Sequence, residues 1–243
     1  MVTEWKFDSS RPHQSFKGPA AKAGLLPFCG VFLVITAGLK EHIRANEAAF
    51  GLGLADEQIA RLETLAAIIA EHNELLHLVA PCDAEEFAIR HILESLYLLT
   101  FLPAEAHIAD IGTGAGLPSL PCLLVREGLR ATLIESKEKK CNYLAEAVER
   151  LGLAARVQIV NRQFEEAEPG EASVITTRAL DKLSRKLPKL LKWAAGRELV
   201  LFSGPSLGEA LAKSGTRHTA HLIPLSKQRF VFVIPPRVTK RKA

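Results

Sequence analysis

The chain is poor in the residue patterns that build metal centres and disulfide frameworks. Its four cysteines, Cys29, Cys82, Cys122 and Cys141, are scattered with no C-x-x-C pair. That excludes a zinc ribbon and a disulfide-stapled scaffold, and it fits a reducing compartment. The eight histidines include no H-E-x-x-H, and His72/His77 and His218/His221 are badly spaced for a helical metal site, so no metal is expected. An apolar stretch from Gly24 to Leu39 is interrupted by Pro27 and Gly30, and it falls short of the roughly 20 residues that a membrane helix needs. Its basic lead-in resembles a secretory signal, but no clean small-x-small cleavage site follows. Residues 1–39 are therefore expected to be a poorly ordered or spurious extension. The texture of the rest points to a cytoplasmic protein with no membrane association, expected to be a monomer.

With 243 residues, 48% of them hydrophobic and 24% charged, the chain has room for one good core, that is, one catalytic domain with an appendage. The net charge of +4 conceals an uneven distribution. From Arg178 to the end there are 15 basic residues against 3 acidic ones, whereas the first 177 residues hold 16 basic and 24 acidic. A split of this kind points to one face that meets a polyanion, and nucleic acid is the favoured partner over a merely solvated basic surface.

Between about Lys40 and Leu102 the pattern is helical, and residues 40–103 are expected to form a cap. Ile59, Leu62, Leu65, Ile69, His72 and Leu76 make one stripe at three- and four-residue steps. Asp83 with Glu86 looks like an N-cap box opening a helix through Phe87, Ile89, Ile92, Leu96 and Leu99, stopped by Pro103. Residues 104–243 then alternate short β-branched runs with helical stretches. Strands are expected near His107–Gly112, Ala131–Ser136, Arg156–Val160, Ser173–Thr177, Glu198–Phe202, Thr219–Leu225 and Arg229–Ile234. Helices are expected between the first five, which implies a parallel sheet, and the last two strands should form an antiparallel hairpin at one edge.

The first strand runs into Asp110-Ile-Gly112-Thr-Gly114-Ala-Gly116-Leu117. Glycines there let the backbone turn sharply and let a ligand approach without a Cβ in the way. Glu135, nineteen residues after Gly116, ends the next strand, where a carboxylate can accept both ribose hydroxyls of a nucleoside. A dinucleotide fingerprint would place glycine at position 117, which is Leu117, and Asp110 is unwelcome beside a pyrophosphate. Asp110 suits a cationic ligand, and S-adenosylmethionine (SAM) is the expected cofactor.

The kind of methyl transfer is narrowed by further absences. Neither Cys82 nor Cys122 is placed as the nucleophile that C5-pyrimidine methylation requires. The N/D/S-P-P-Y/F element of exocyclic amine methylation is replaced by Thr176-Thr177-Arg178-Ala179. Guanine N7 carries an exposed lone pair and needs neither nucleophile nor strong base. Over Ala179–Trp193, Lys182, Arg185, Lys186, Lys189 and Lys192 fall within roughly a 120° arc of one helix, opposite Leu180, Leu183, Leu187, Leu190 and Leu191. This face is the expected RNA contact, with the tail Arg237–Lys242 adding nonspecific attraction.

Together these motifs resemble the glucose-inhibited division protein B family, the 16S ribosomal RNA guanine-N7 methyltransferases. Asp110-Ile-Gly-Thr-Gly-Ala-Gly-Leu-Pro-Ser-Leu-Pro121 is close to that family's D-[IV]-G-[ST]-G-x-G-[FL]-P-G-[IL]-P. Leu133-Ile-Glu-Ser-Lys137 with Lys139-Lys140 and Tyr143-Leu144, Arg90-His-Ile-Leu-Glu-Ser-Leu96, Asn73 and Arg178-Ala179 match further elements across roughly residues 40–235. The resemblance implies an α/β, Rossmann-like, seven-stranded class I SAM-dependent methyltransferase fold with an N-terminal helical cap. It implies cofactor contacts from Gly112, Leu117 and Arg178, and from the residues after Arg162, here Gln163 and Phe164. It also implies methylation of guanine N7 in ribosomal RNA or the small ribosomal subunit. Departures are His72 for tryptophan, Glu94 for aspartate, Ser173 for an acid, Ser203-Gly204 for K-G, a shifted Arg162–Glu165 element and the missing C-terminal Y-P-R segment. A SAM methyltransferase for another RNA or a small molecule, and a paralogue that has lost catalysis, are the competing readings.

Overall fold

The computed structural model describes residues 35–178 and 183–236. The expected extension (apart from residues 35–39), residues 179–182 of the expected basic helix, Lys182 among them, and the basic tail lie outside the described residues.

The cap begins with α1 (Leu39–Asn46), a 3-10 turn at Glu47–Phe50, and α2 (Asp56–Leu76). The apolar stripe of α2 behaves as its spacing requires, with Ile59, Leu62, Leu65 and Ile69 fully buried. Gln58 closes the first turn by accepting the Ala55 N–H at 2.8 Å. Asp83 caps the next helical stretch, its Oδ1 accepting from the Glu86 amide at 2.8 Å. That stretch, α3, runs Ala84–Glu86, Phe87–Leu93, Glu94–Leu96 and Tyr97–Phe101. It departs from the plain α-helix that the sequence predicts, because Phe87–Leu93 is wound as a π-helix. The wider turn keeps Phe87, Ala88, Ile92 and Leu93 at 0% exposure while Arg90, His91 and Glu94 all line one cleft.

The sheet holds seven strands in the order β3-β2-β1-β4-β5-β7-β6. These are β1 (Ala106–Ile111), β2 (Leu129–Ile134), β3 (Val157–Val160), β4 (Val174–Arg178), β5 (Glu198–Ser203), β6 (Thr219–Leu222) and β7 (Phe230–Ile234). The first five pair in parallel. Strand β7 runs antiparallel between β5 and β6, giving the expected edge hairpin. Helices α4 (Ser119–Val125), α5 (Glu138–Arg150), α6 (Leu183–Trp193) and α7 (Pro205–Lys213) cover the faces. No such helix follows β3. Only a 3-10 turn, Phe164–Glu166, lies there, because Pro169 and Gly170 end the run that would have to be helical.

One apolar cluster joins the cap to α4, α5 and one face of the sheet, and a second fills the opposite face under α6 and α7. Polar contacts lock the first layer. Gln58 Nε2 and Arg61 Nη1 donate to the Val125 and Leu124 carbonyls at 2.9 and 3.1 Å, which satisfies the end of α4. Arg126 does the same for α3 through the Leu99, Leu102 and Pro103 carbonyls.

In the turn after β1, Gly116 has φ +83°, and a Cβ built on it would lie 2.2 Å from Leu120 Cδ1. Gly152 is also left-handed, at φ +67°, but has nothing within 4 Å of that position. Gly116→Ala should therefore cost about 2–4 kcal/mol, combining backbone strain with overpacking, against about 1 kcal/mol for Gly152→Ala. Denaturant unfolding of the two variants checks the contrast.

Candidate active site

The sheet order reverses between β1 and β4, so the loops at their carboxyl ends diverge and open a crevice. The cleft found there has a volume of about 510 Å³, a size suited to a nucleoside-bearing ligand. One wall is the glycine loop, with Gly112, Gly114 and Leu117. The other is the π-helical segment of α3, and Arg178, Ser203 and Arg229 close the far side.

The glycines divide by task. A Cβ on Gly114 would have nothing nearer than Gly112 O and Lys140 Nζ, both at 3.9 Å, so the space above its backbone is open to a ligand. Gly116 is buried against Leu120, where a side chain would not fit. Glu135 ends up where the sequence places it, beyond β2. It is 7% exposed, with Oε2 accepting from the Gly114 amide at 3.1 Å and Oε1 from the Lys137 amide at 2.9 Å. The carboxylate thus holds the loop closed as well as standing beside it.

Asp110 is fully buried. Its Oδ2 accepts from Thr113 Oγ1 at 2.8 Å, while Oδ1 has no partner. Burial lifts its carboxyl to about 7, with the Ser119 hydroxyl, the Thr113 hydroxyl and the Ser119 amide working the other way. A buried carboxyl supported by Thr113 and Ser119, next to an open glycine cradle, fits a cationic ligand such as SAM.

Arg178 reaches the carboxyl end of β4, as its position predicts, and it lines the cleft. Its fork, however, faces the cap. Nη1 donates to Ser95 Oγ at 3.0 Å and Nη2 to the Arg90 carbonyl, and the Glu94 carboxylate lies 3.9 Å away. Burial lowers its guanidinium to about 10, so it stays charged at neutral pH. Glu94, 1% exposed, also accepts from Arg229 Nε at 2.8 Å and Nη2 at 2.5 Å. His91 stands between these arginines with Nδ1 buried and unpartnered, and burial with the neighbouring cations lowers its pKa to about 3. It is therefore a neutral imidazole.

Asp110, Gly116 and Glu135 support the glycine loop from outside the cleft lining, and further expected site residues also lie outside it. Gln163 is exposed beyond β3. Phe164 is buried, edge-on to Trp193 at 5.7 Å between ring centroids. Lys186 sits 5.6 Å over the Phe164 ring and 3.8 Å from Glu165, so it is spent on packing rather than displayed with the exposed Arg185, Lys189 and Lys192. Leu183, Leu187 and Leu190 are buried as the amphipathic pattern requires. Ser173 lies at the amino end of β4, bonded to His107, at the opposite edge of the sheet from the glycine loop. Sequence reasoning did not assign Glu94, His91, Arg229 or Lys140 to the site. The Arg90–Leu96 motif carried the first two, while nothing in the spacing of Arg229 marks it.

Among the described residues, Glu71, His72 and Glu146 lie close enough to share an ion. Arg150 already spans both carboxylates, with Nη1 at 2.5 Å from Glu71 and 3.1 Å from Glu146. No helix among the described residues is long and apolar enough to cross a membrane.

Comparison with known proteins agrees with this geometry. The sequence model of the family described as GidB, rRNA small subunit methyltransferase G, matches residues 58–222. A Ribosomal RNA small subunit methyltransferase G from Neisseria meningitidis serogroup C is 33% identical over 145 residues, covering 60% of this chain and 70% of that protein. The protein of the same name from Pelotomaculum thermopropionicum is 38% identical over 117 residues, covering 47% of this chain and 49% of its own length. The chain thus spans between about half and seven-tenths of these two relatives. Among solved structures, the mitomycin 7-O-methyltransferase MmcR superposes with a TM-score of 0.50 at 18% identity, over 86% of this chain and 69% of that one, a likeness of fold.

The buried carboxyl has a measurable consequence. Asp110 holds its proton up to about pH 7 when folded, whereas an unfolded aspartate releases it near 3.8. Over that interval the unfolded state binds fewer protons, so this residue lowers stability as pH rises. Asp110→Asn should raise the melting temperature at pH 8, with the gain vanishing below about pH 4. The same variant should bind SAM more weakly by calorimetry. Equal melting temperatures and equal SAM affinity would take Asp110 out of both roles.

Proposed function

Because the chain belongs to the GidB family of rRNA small subunit methyltransferases, we propose that it transfers a methyl group from SAM to guanine N7 in 16S ribosomal RNA. The observation that carries this reading is the single cleft that the glycine loop and the Arg90–Glu94 segment share. Both walls fall inside the family match at residues 58–222.

SAM supplies an electrophilic methyl on a sulfonium, and the displacement is in-line, so the protein's main task is alignment. Gly112 and Gly114 leave room for the donor, Leu117 walls it, Asp110 offers the buried carboxylate, and Glu135 stands by the ribose. Gln163 and Phe164 belong to the same proposal on the strength of the family resemblance, Phe164 as a buried support. Arg178 holds the acceptor wall against β4 through Ser95 and the Arg90 carbonyl.

No base or nucleophile is required of the cleft. Guanine N7 brings its own lone pair, and His91, far below its ordinary pKa, stays neutral. Cys122 and Cys141 are buried with thiol pKa values pushed up by desolvation, which makes them inert.

Arg185, Lys189 and Lys192 form the exposed face of α6, whose Leu183 lines the cleft, and that face is suited to the RNA backbone. Lys182 joins them on sequence pattern alone, and Lys186 contributes charge from its perch on Phe164. A monomer working in the cytoplasm on ribosomal RNA or the small subunit completes the reading.

Borohydride and aniline cleave RNA at N7-methylguanosine. Ribosomal RNA from a strain lacking this gene should lose one cleavage product in 16S RNA, and the wild-type gene should restore it. An unchanged cleavage pattern in the deletion strain would refute the assignment.

A further inference from the structure

Three guanidinium groups crowd the acceptor end of the cleft. Arg90, Arg178 and Arg229 all lie close enough to His91 to depress its protonation, and Arg90 and Arg229 both act against the charge on Arg178. Two carboxylates face them, Glu94 against Arg178 and Arg229 and Glu86 against Arg90, and Lys140 adds a further cation from the glycine-loop side with Glu135 near it. Asp110, fully buried beneath the loop, acts on Arg178 from the donor side. The arginine wall, three guanidinium groups against two carboxylates, thus keeps a net positive charge beside the place where a cationic methyl donor is to be housed. That arrangement is unfavourable unless an anion enters with the other substrate.

The hydrogen-bond inventory shows which of the cations are free to meet that anion. Arg178 has both terminal nitrogens committed to Ser95 and to the Arg90 carbonyl, and its side chain is only 16% exposed. Arg229 gives Nε and Nη2 to Glu94, and among the described residues Nη1 has no partner, on a side chain 38% exposed. Arg90 gives Nη1 to Glu86, one turn back on the same helical stretch, and among the described residues Nε and Nη2 have no partner, on a side chain 45% exposed. Glu94 fixes Arg229 in place and Glu86 fixes Arg90, so both forks are held in position with donors to spare. One comes from the cap and the other from the residue just before β7.

From this we propose that Arg90 and Arg229 form a two-sided clamp for the phosphodiester group beside the target guanosine. It is a second RNA contact, separate from the basic face of α6. The proposal rests on the RNA reading above and adds the residues that draw the acceptor nucleotide into the cleft. Two anionic groups share the required chemistry, a backbone phosphate of the RNA and the carboxylate of the methyl donor. Salt dependence separates them, because only a polyelectrolyte releases condensed counterions on binding.

The test measures binding to deproteinised 16S ribosomal RNA, and to small ribosomal subunits carrying unmethylated RNA, over a range of salt concentrations. SAM affinity is measured alongside by calorimetry without RNA. The variants are Arg90→Gln and Arg229→Gln, each of which removes a partly exposed guanidinium and leaves Glu94 beside Arg178. Each should reduce the slope of log affinity against log salt by about 0.7–0.9, the value of one lost phosphate contact. SAM affinity should stay within about twofold of wild type. Unchanged slopes in both variants would overturn the clamp. A large loss of SAM affinity with an unchanged slope would also overturn it, by assigning the arginines to the donor's carboxylate. If the wild-type protein shows no salt-dependent binding to either RNA, the RNA reading itself fails and the clamp falls with it.

Discussion

The buried carboxylate of Glu94 holds this architecture together. It comes from the cap, at the end of the π-helical segment, and it meets Arg178 from the tip of β4 and Arg229 from the approach to β7. Taking such a charge out of water is costly, and the cost is offset only when the partners are close and well oriented. That condition ties three distant parts of the chain to one geometry. With Glu94 satisfied, Arg178 stays beside Ser95 and the Arg90 carbonyl, and the acceptor wall stands opposite the glycine loop.

Around that point the cap and the sheet share a core. The apolar cluster of α2 and α3 continues without a break into α4 and α5. Arginine side chains finish helix ends that would otherwise bury unpaired carbonyls. Arg126 does so for α3, while Arg156 binds the Leu123, Arg126, Glu127 and Leu129 carbonyls around the end of α4. The cap therefore acts as a wall of the active site, and the division expected near residue 103 falls within continuous packing. On the other wall, Glu135 and Asp110 bind the loop from beneath through the Gly114 amide and the Thr113 hydroxyl. Carboxylates placed to receive a ligand also set the shape of its cradle.

Much of this was legible in the sequence because it depends on short-range patterns. Strands read as β-branched runs bounded by glycine and charge, and all seven lie within a few residues of their expected places. The glycine loop, Glu135 and the strand-end position of Arg178 follow from spacing along one strand–loop–helix unit. What was illegible depends on side chains meeting across the fold. Arg229 lies 135 residues from Glu94, and no periodicity links them. Arg178 was expected to present its fork to a ligand, but its terminal nitrogens meet the cap. The π-helical winding of Phe87–Leu93 escaped notice because its apolar spacing is also compatible with an ordinary helix over so short a stretch. Lys186 shares the arc of its basic neighbours, yet the Phe164 ring beneath it decides where it points.

Native-state hydrogen exchange on Glu94→Gln tests the central claim most directly. That change keeps the shape of the side chain and removes the charge that Arg178 and Arg229 share. If Glu94 docks the cap, amides across residues 84–101 and at the carboxyl end of β4 should exchange at least about tenfold faster, while β2 and α5 keep their protection. Methyl transfer to 16S RNA should fall in step. Wild-type protection in both segments, with undiminished transfer, would show that apolar packing alone holds the cap and would contradict the account.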